Sequence, residues 1–164
     1  MDADKRRSGK SSAHSDLSGC TELNLQTLIN APMERCFDLT RSIDFHLQSA
    51  ESTREKAIFG VATGLISDGQ EVVWRARHFG IWLKMRVRIT QYKAPHFFQD
   101  SMIEGPFRSF QHDHVFETTD SGTLMTDRIL FSSPVPIIGY LLIVLSFVII
   151  LKTLCGTGIS NLRL

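Results

Sequence analysis

Residues 21 to 29 alternate in character. Leu23, Leu25 and Thr27 fall on one face and Glu22, Asn24, Gln26 and Leu28 on the other, the period of a half-buried strand that Asn30-Ala31-Pro32 brings to an end. From Met33 the apolar spacing becomes helical, running through Met33, Cys36 and Phe37 to Leu39 or Thr40, with Pro32 suited to the first turn. A second short helix is expected over Ser42 to Ser49, where it would bury Ile43, Phe45 or His46, and Leu47. After Thr53 strands follow one another. Lys56 to Ile66 is β-branched and interrupted by Gly60 and Gly64, Ser67-Asp68-Gly69 is a turn, and Glu71 to Phe79 is a strand. Beyond Gly80, the residues Ile81, Leu83, Met85, Val87 and Ile89 alternate strictly with Trp82, Lys84, Arg86, Arg88 and Thr90. Three more strands are predicted at Phe97 to Ile103, Ser109 to Glu117 and Thr123 to Phe131, separated by Gly105-Pro106 and Ser121-Gly122. Pro134 and Pro136 stop the sheet, and a helix is expected from Ile137.

Consecutive strands with tight links make an antiparallel sheet, and helices set apart from the strands make the class α+β. The expected architecture is a curved antiparallel sheet with two short helices and a long C-terminal helix, which leaves a cavity between sheet and helix. The chain divides into a disordered arm (1–20), a ligand-binding domain (21–133), an apolar helix (134–155) and a short tail (156–164).

At this point the residues carry a likeness. The run GVATGLISDGQEVVWRARHFGIWLKMRVRITQYKAPHFFQDSMIEGPFRSFQHDHVFE, followed by GTLMTDRILFSSPVPIIG, resembles the helix-grip superfamily labelled SRPBCC. That superfamily includes START lipid-binding domains, plant allergen-type ligand carriers and polyketide cyclase/dehydrase-like proteins. The likeness is to its small bacterial stand-alone members and covers roughly residues 21 to 140. It rests on W-x-A-x-H-F-G from Trp74, G-P-F from Gly105 and F-x-H-x-H-x-F from Phe110. It implies a cavity for an apolar or amphipathic small molecule, with catalysis in some branches of the superfamily. The inward residues expected to touch such a ligand are Trp74, His78, Met85, Phe110, His112, His114 and Phe116.

Charge and cysteine content narrow the classes. Eighteen Lys and Arg balance 17 Asp and Glu, so a strongly basic nucleic-acid binder is not expected. Trp74, Phe79 and Trp82, interleaved with Arg75 and Arg77, resemble a stacking platform, but the arginines lie opposite Trp74 and Ala76 and read as solvated outer-face residues. Cys20, Cys36 and Cys155 are odd in number and too far apart for a disulfide scaffold or a CxxC pair. They read as reduced thiols. The stretch after Met1 carries Lys5, Arg6, Arg7 and Lys10 without an apolar core, so it is not a secretory signal and the domain is expected to face the cytoplasm.

The most suggestive chemistry lies at Phe110, His112, His114 and Phe116, which share one face of a strand and set two imidazoles between two rings. Two histidines are not a zinc signature. A third ligand would have to come from His78 or Asp127, and neither a metal nor a cofactor is expected. Acid/base catalysis would draw on His112, His114, Asp127 or Glu104, and the structural alternative is a pair of hydrogen-bonded sheet histidines. No Walker loop, GxGxxG, nucleophile elbow or HExxH is present.

From Ile129 to Leu151 no residue is charged. In the C-terminal helix Ile138, Leu141, Leu142, Leu145 and Ile149 make one stripe, and Ile143, Val144, Phe147 and Ile150 face the other way. From Ile137 to Cys155 the helix would be about 28 Å long, near the thickness of a bilayer core. Ile137, Leu141, Leu142, Ile143, Leu145, Phe147, Ile150 and Leu151 are therefore expected in a membrane, as a single C-terminal span. The alternatives are a soluble cytoplasmic domain and a homodimer that covers the same helix. The function expected is binding of a lipid-like or aromatic molecule at a membrane, and the alternative is a cyclase- or dehydratase-like enzyme using His112 or His114.

Overall fold

The computed structural model describes residues 20–50, 54–78 and 80–134, together with the backbone of 161–163. Its elements are β1 (Thr21–Ile29), α1 (Met33–Thr40), α2 (Ile43–Ser49), β2 (Lys56–Gly60), β3 (Glu71–His78), β4 (Ile81–Lys93), β5 (Phe97–Glu104), β6 (Ser109–Thr119), β7 (Gly122–Ser132) and β8 (Asn161–Arg163). They form one sheet in the order β2-β3-β4-β5-β6-β7-β1-β8. Every neighbouring pair is antiparallel. From β2 to β7 each strand pairs with the next in sequence, and β1 closes against β7. Register shifts in the β2–β3 and β4–β5 pairs bend these strands and curve the sheet.

The two helices lie against one face. Ser42 caps α2 by accepting a hydrogen bond from the Phe45 amide at 3.2 Å. From α1, Phe37 is buried edge-on against Tyr92, Phe98 and Phe116, each with ring centroids 5.5 Å away. Burying such a ring contributes about 2–3 kcal/mol from area alone. His46 of α2 stacks on Trp74 of β3 at 4.3 Å. A core of Ile29, Phe37, Val72, Val87, Ile89, Phe98, Phe116 and Met125 thus joins both helices to the sheet.

Two predicted boundaries move. The strand expected over Lys56 to Ile66 stops at Gly60, whose φ is +80° and where a Cβ would stand 2.1 Å from the Glu71 carbonyl oxygen. Leu65 keeps only an isolated bridge to Ser42. Within the expected tail, residues 161–163 pair with Gln26, Thr27 and Leu28 of β1.

Residues 161–163 lie on the edge of β1 away from β7. The chain leaves β7 beside one edge of β1 and rejoins the sheet on the other edge. Among the described residues no helix is long and apolar enough to cross a membrane. The predicted arm, the predicted long helix and the residues Ile137, Leu141, Leu142, Ile143, Leu145, Phe147, Ile150 and Leu151 lie outside the described residues.

Candidate functional site

Between the sheet and α1–α2 lies a cavity of about 230 Å³. Strand alternation builds its walls: Val72, Trp74, Ala76 and His78 from β3, and Leu83, Met85, Val87 and Ile89 from β4. Ile43, Phe45 and His46 of α2 face them, and Arg41 and Glu55 add charge. At one end the lining changes from apolar to polar, where Asp100 of β5, His112 and His114 of β6 and Asp127 of β7 meet.

Cross-strand register assembles this group. Asp100 is directly opposite His112, and Asp127 is directly opposite His114. Residues two apart on one strand share a face, so the other two pairings are short diagonals. Asp127 Oδ1 lies 2.9 Å from both His112 Nε2 and His114 Nδ1. Asp100 Oδ2 lies 3.2 Å from His114 Nε2 and 3.7 Å from His112 Nδ1. The imidazole centroids are 3.6 Å apart, and Phe98 stacks on His114 at 4.2 Å. His112 donates to Asp127 Oδ1, and among the described residues Asp127 Oδ2 has no hydrogen-bond partner despite its burial.

The electrostatics follow from that packing. Burial alone would push the His114 imidazole down, but its contacts with the Asp100 and Asp127 carboxylates overcome this and raise it to about 9. Burial would likewise raise the Asp127 carboxyl, and the two imidazoles hold it instead at about 2. His114 is therefore an imidazolium at neutral pH between two carboxylates. His78 is different: burial pushes its imidazole below the ordinary value, against the charge of Glu55.

Of the residues singled out from the sequence, Trp74, His78, Met85, Phe110, His112 and His114 line the cavity, and so does Asp127. Phe116 does not. Although it shares the face of His112 and His114, it is 1% exposed and packs beneath α1 against Phe37 and Phe98. Glu104 is exposed at the end of β5, away from the imidazoles. Trp82 and Arg75 stack on the outer face, 4.4 Å from guanidinium carbon to ring centroid. Sequence reasoning missed Asp100, for which the one signal was its place two residues after Phe98 on β5.

This arrangement of sheet, helices and cavity is the helix-grip fold of START-like and Bet v 1-like proteins. No protein-family model matches the chain, and no curated protein does either. Among solved structures, Ara h 8.0201 is similar with a TM-score of 0.67 at 12% identity, over 85% of this chain and 97% of that one. Protein Ms6760 from Mycobacterium smegmatis has a TM-score of 0.66 at 15% identity, covering 87% and 92%. Ginseng major latex-like protein 151 from Panax ginseng has a TM-score of 0.60 at 16% identity, covering 82% and 95%. At such identities the likeness concerns the fold.

Proposed function

We propose that this protein binds an amphipathic small molecule in the cavity between sheet and helices. The observation that carries the reading is the division of that cavity into apolar walls around Trp74, Val72 and Met85 and one buried polar end. The apolar part of the ligand lies along the walls and its polar group meets the His–Asp cluster. Because two carboxylates face the imidazolium of His114, the favoured polar group is a hydrogen-bond donor such as a hydroxyl, and an anionic head is disfavoured. The buried imidazolium beside a carboxylate also supports the enzyme reading, in which His114 would give a proton to a substrate held against the walls.

The only two tryptophans provide the test, since Trp74 lines the cavity and Trp82 sits on the outer face. In an NMR titration with 2-naphthol the indole N–H signal of Trp74 is expected to shift saturably and that of Trp82 to stay. With 2-naphthoate the affinity is expected to be at least about tenfold lower, or 1.4 kcal/mol. Equal shifts at both indoles would remove the cavity from the account.

We propose further that the chain is not held in a membrane by a single C-terminal span, because residues 161–163 return to the same sheet. β7 ends opposite Thr21 and β8 begins opposite Leu28, about 24 Å apart along β1, and parallel strands such as these need a crossover of a dozen or more residues. The full chain is then expected in the carbonate wash of a membrane fraction. Retention in the pellet until detergent is added would restore the span.

A further inference from the structure

Asp100, His112 and His114 offer ligand atoms that all lie within 4.8 Å of one another. Around a tetrahedral ion bonded at 2.0–2.2 Å, neighbouring ligand atoms are about 3.4 Å apart. Asp100 Oδ2 is 3.2 Å from His114 Nε2 and 3.7 Å from His112 Nδ1, on either side of that value. The opposite nitrogens, His112 Nε2 and His114 Nδ1, both face Asp127 Oδ1 at 2.9 Å. Each imidazole therefore has one nitrogen toward Asp100 and the cavity and the other toward a carboxylate behind it. An outer carboxylate of this kind fixes the tautomer and orientation of a metal-bound histidine and raises its basicity.

A second observation is independent of the distances. Asp127 is 1% exposed, yet among the described residues its Oδ2 has no hydrogen-bond partner. Hydrogen bonds alone leave this cluster incomplete. Two imidazoles with one carboxylate are a ligand set suited to divalent iron or zinc.

We propose that Asp100, His112 and His114 bind a divalent transition-metal ion at the polar end of the cavity, with Asp127 orienting both imidazoles from behind. The three ligands leave a coordination position open toward the cavity. The site would take Zn²⁺ or Fe²⁺, and the preference for a hydrogen-bond donor over an anion is that of the metal-free cavity. The site does not depend on the identity of any cavity ligand, so its failure would leave the binding reading intact.

The test uses the full-length chain, stripped with chelator and titrated with Zn²⁺ alone by calorimetry and with Co²⁺ alone by visible absorption. One equivalent of each metal is expected to bind, and Co²⁺ is expected to show the intense d–d bands of four- or five-coordination with nitrogen and oxygen ligands. His114→Gln should abolish the bands, and Asp127→Asn should weaken binding about 10–100-fold. Asp100→Asn, at the more exposed ligand, serves if a histidine variant does not fold. His96→Gln, in the exposed turn between β4 and β5, should leave metal binding unchanged. The proposal is overturned if the folded wild type binds neither metal saturably. Binding that survives Asp100→Asn and His114→Gln undiminished overturns it equally.

Discussion

Asp127→Ala is expected to destabilise the metal-free protein by about 3–5 kcal/mol at pH 6, read as a lowered urea midpoint with an unchanged slope. The carboxylate is 1% exposed, stands 2.9 Å from a nitrogen of each imidazole, and is the nearer counter-charge to a buried imidazolium. Alanine removes that charge and leaves two imidazoles with centroids 3.6 Å apart facing a small void. The pH dependence has a definite sign. His114 is raised from 6.5 to about 9 in the fold, so its contribution is complete below about pH 6.5 and is lost as pH rises through 9. Asp127 is lowered from 3.8 to about 2, so its contribution is complete above about pH 4 and is lost as pH falls through 2. The gap between wild type and variant should therefore be widest between about pH 4 and 6.5 and narrow toward pH 9. A gap that does not vary with pH would mean that Asp127 acts by packing alone.

Phe37→Ala should cost a similar amount, about 3–5 kcal/mol, without that pH dependence. Phe37 is 2% exposed, and its ring is the point where α1 meets β4, β5 and β6 through Tyr92, Phe98 and Phe116. Edge-to-face contacts add to the burial term, and the rigid sheet beneath cannot collapse into the vacated volume. Phe37→Leu, which keeps most of the volume, should cost much less. A loss below about 1 kcal/mol for alanine would show that α1 is not held down by this ring.

How far the site was legible from sequence depends on which interactions are local. The F-x-H-x-H-x-F spacing put both imidazoles on one face of β6, because side-chain direction in a strand follows from counting by two. The partners of those imidazoles come from register, which links positions 12 to 15 residues apart through two hairpins, and no local pattern specifies it. Asp127 was singled out as a residue type and Asp100 was not, although they occupy equivalent places on the two flanking strands. Phe116 shows the converse limit: it has the right face, but α1 covers that part of the sheet and makes it core. Gly60 ended β2 early because the close approach of the Glu71 carbonyl is a tertiary fact. The apolar run 137–155 reads as a bilayer span because hydrophobic length does not distinguish lipid from a protein surface as its neighbour, and it lies outside the described residues.

The central claim is that the cavity between β3, β4 and α2 is a binding site, and closing it is the direct test. Ala76 is 7% exposed, faces the cavity and has room in front of it, so Ala76→Phe fills the site without touching the His–Asp cluster. The 2-naphthol titration, repeated on this variant with its fold checked by the dispersion of the two indole signals, is expected to lose the saturable Trp74 shift. If the filled variant binds 2-naphthol as the wild type does, the ligand sits elsewhere and the cavity is not the site.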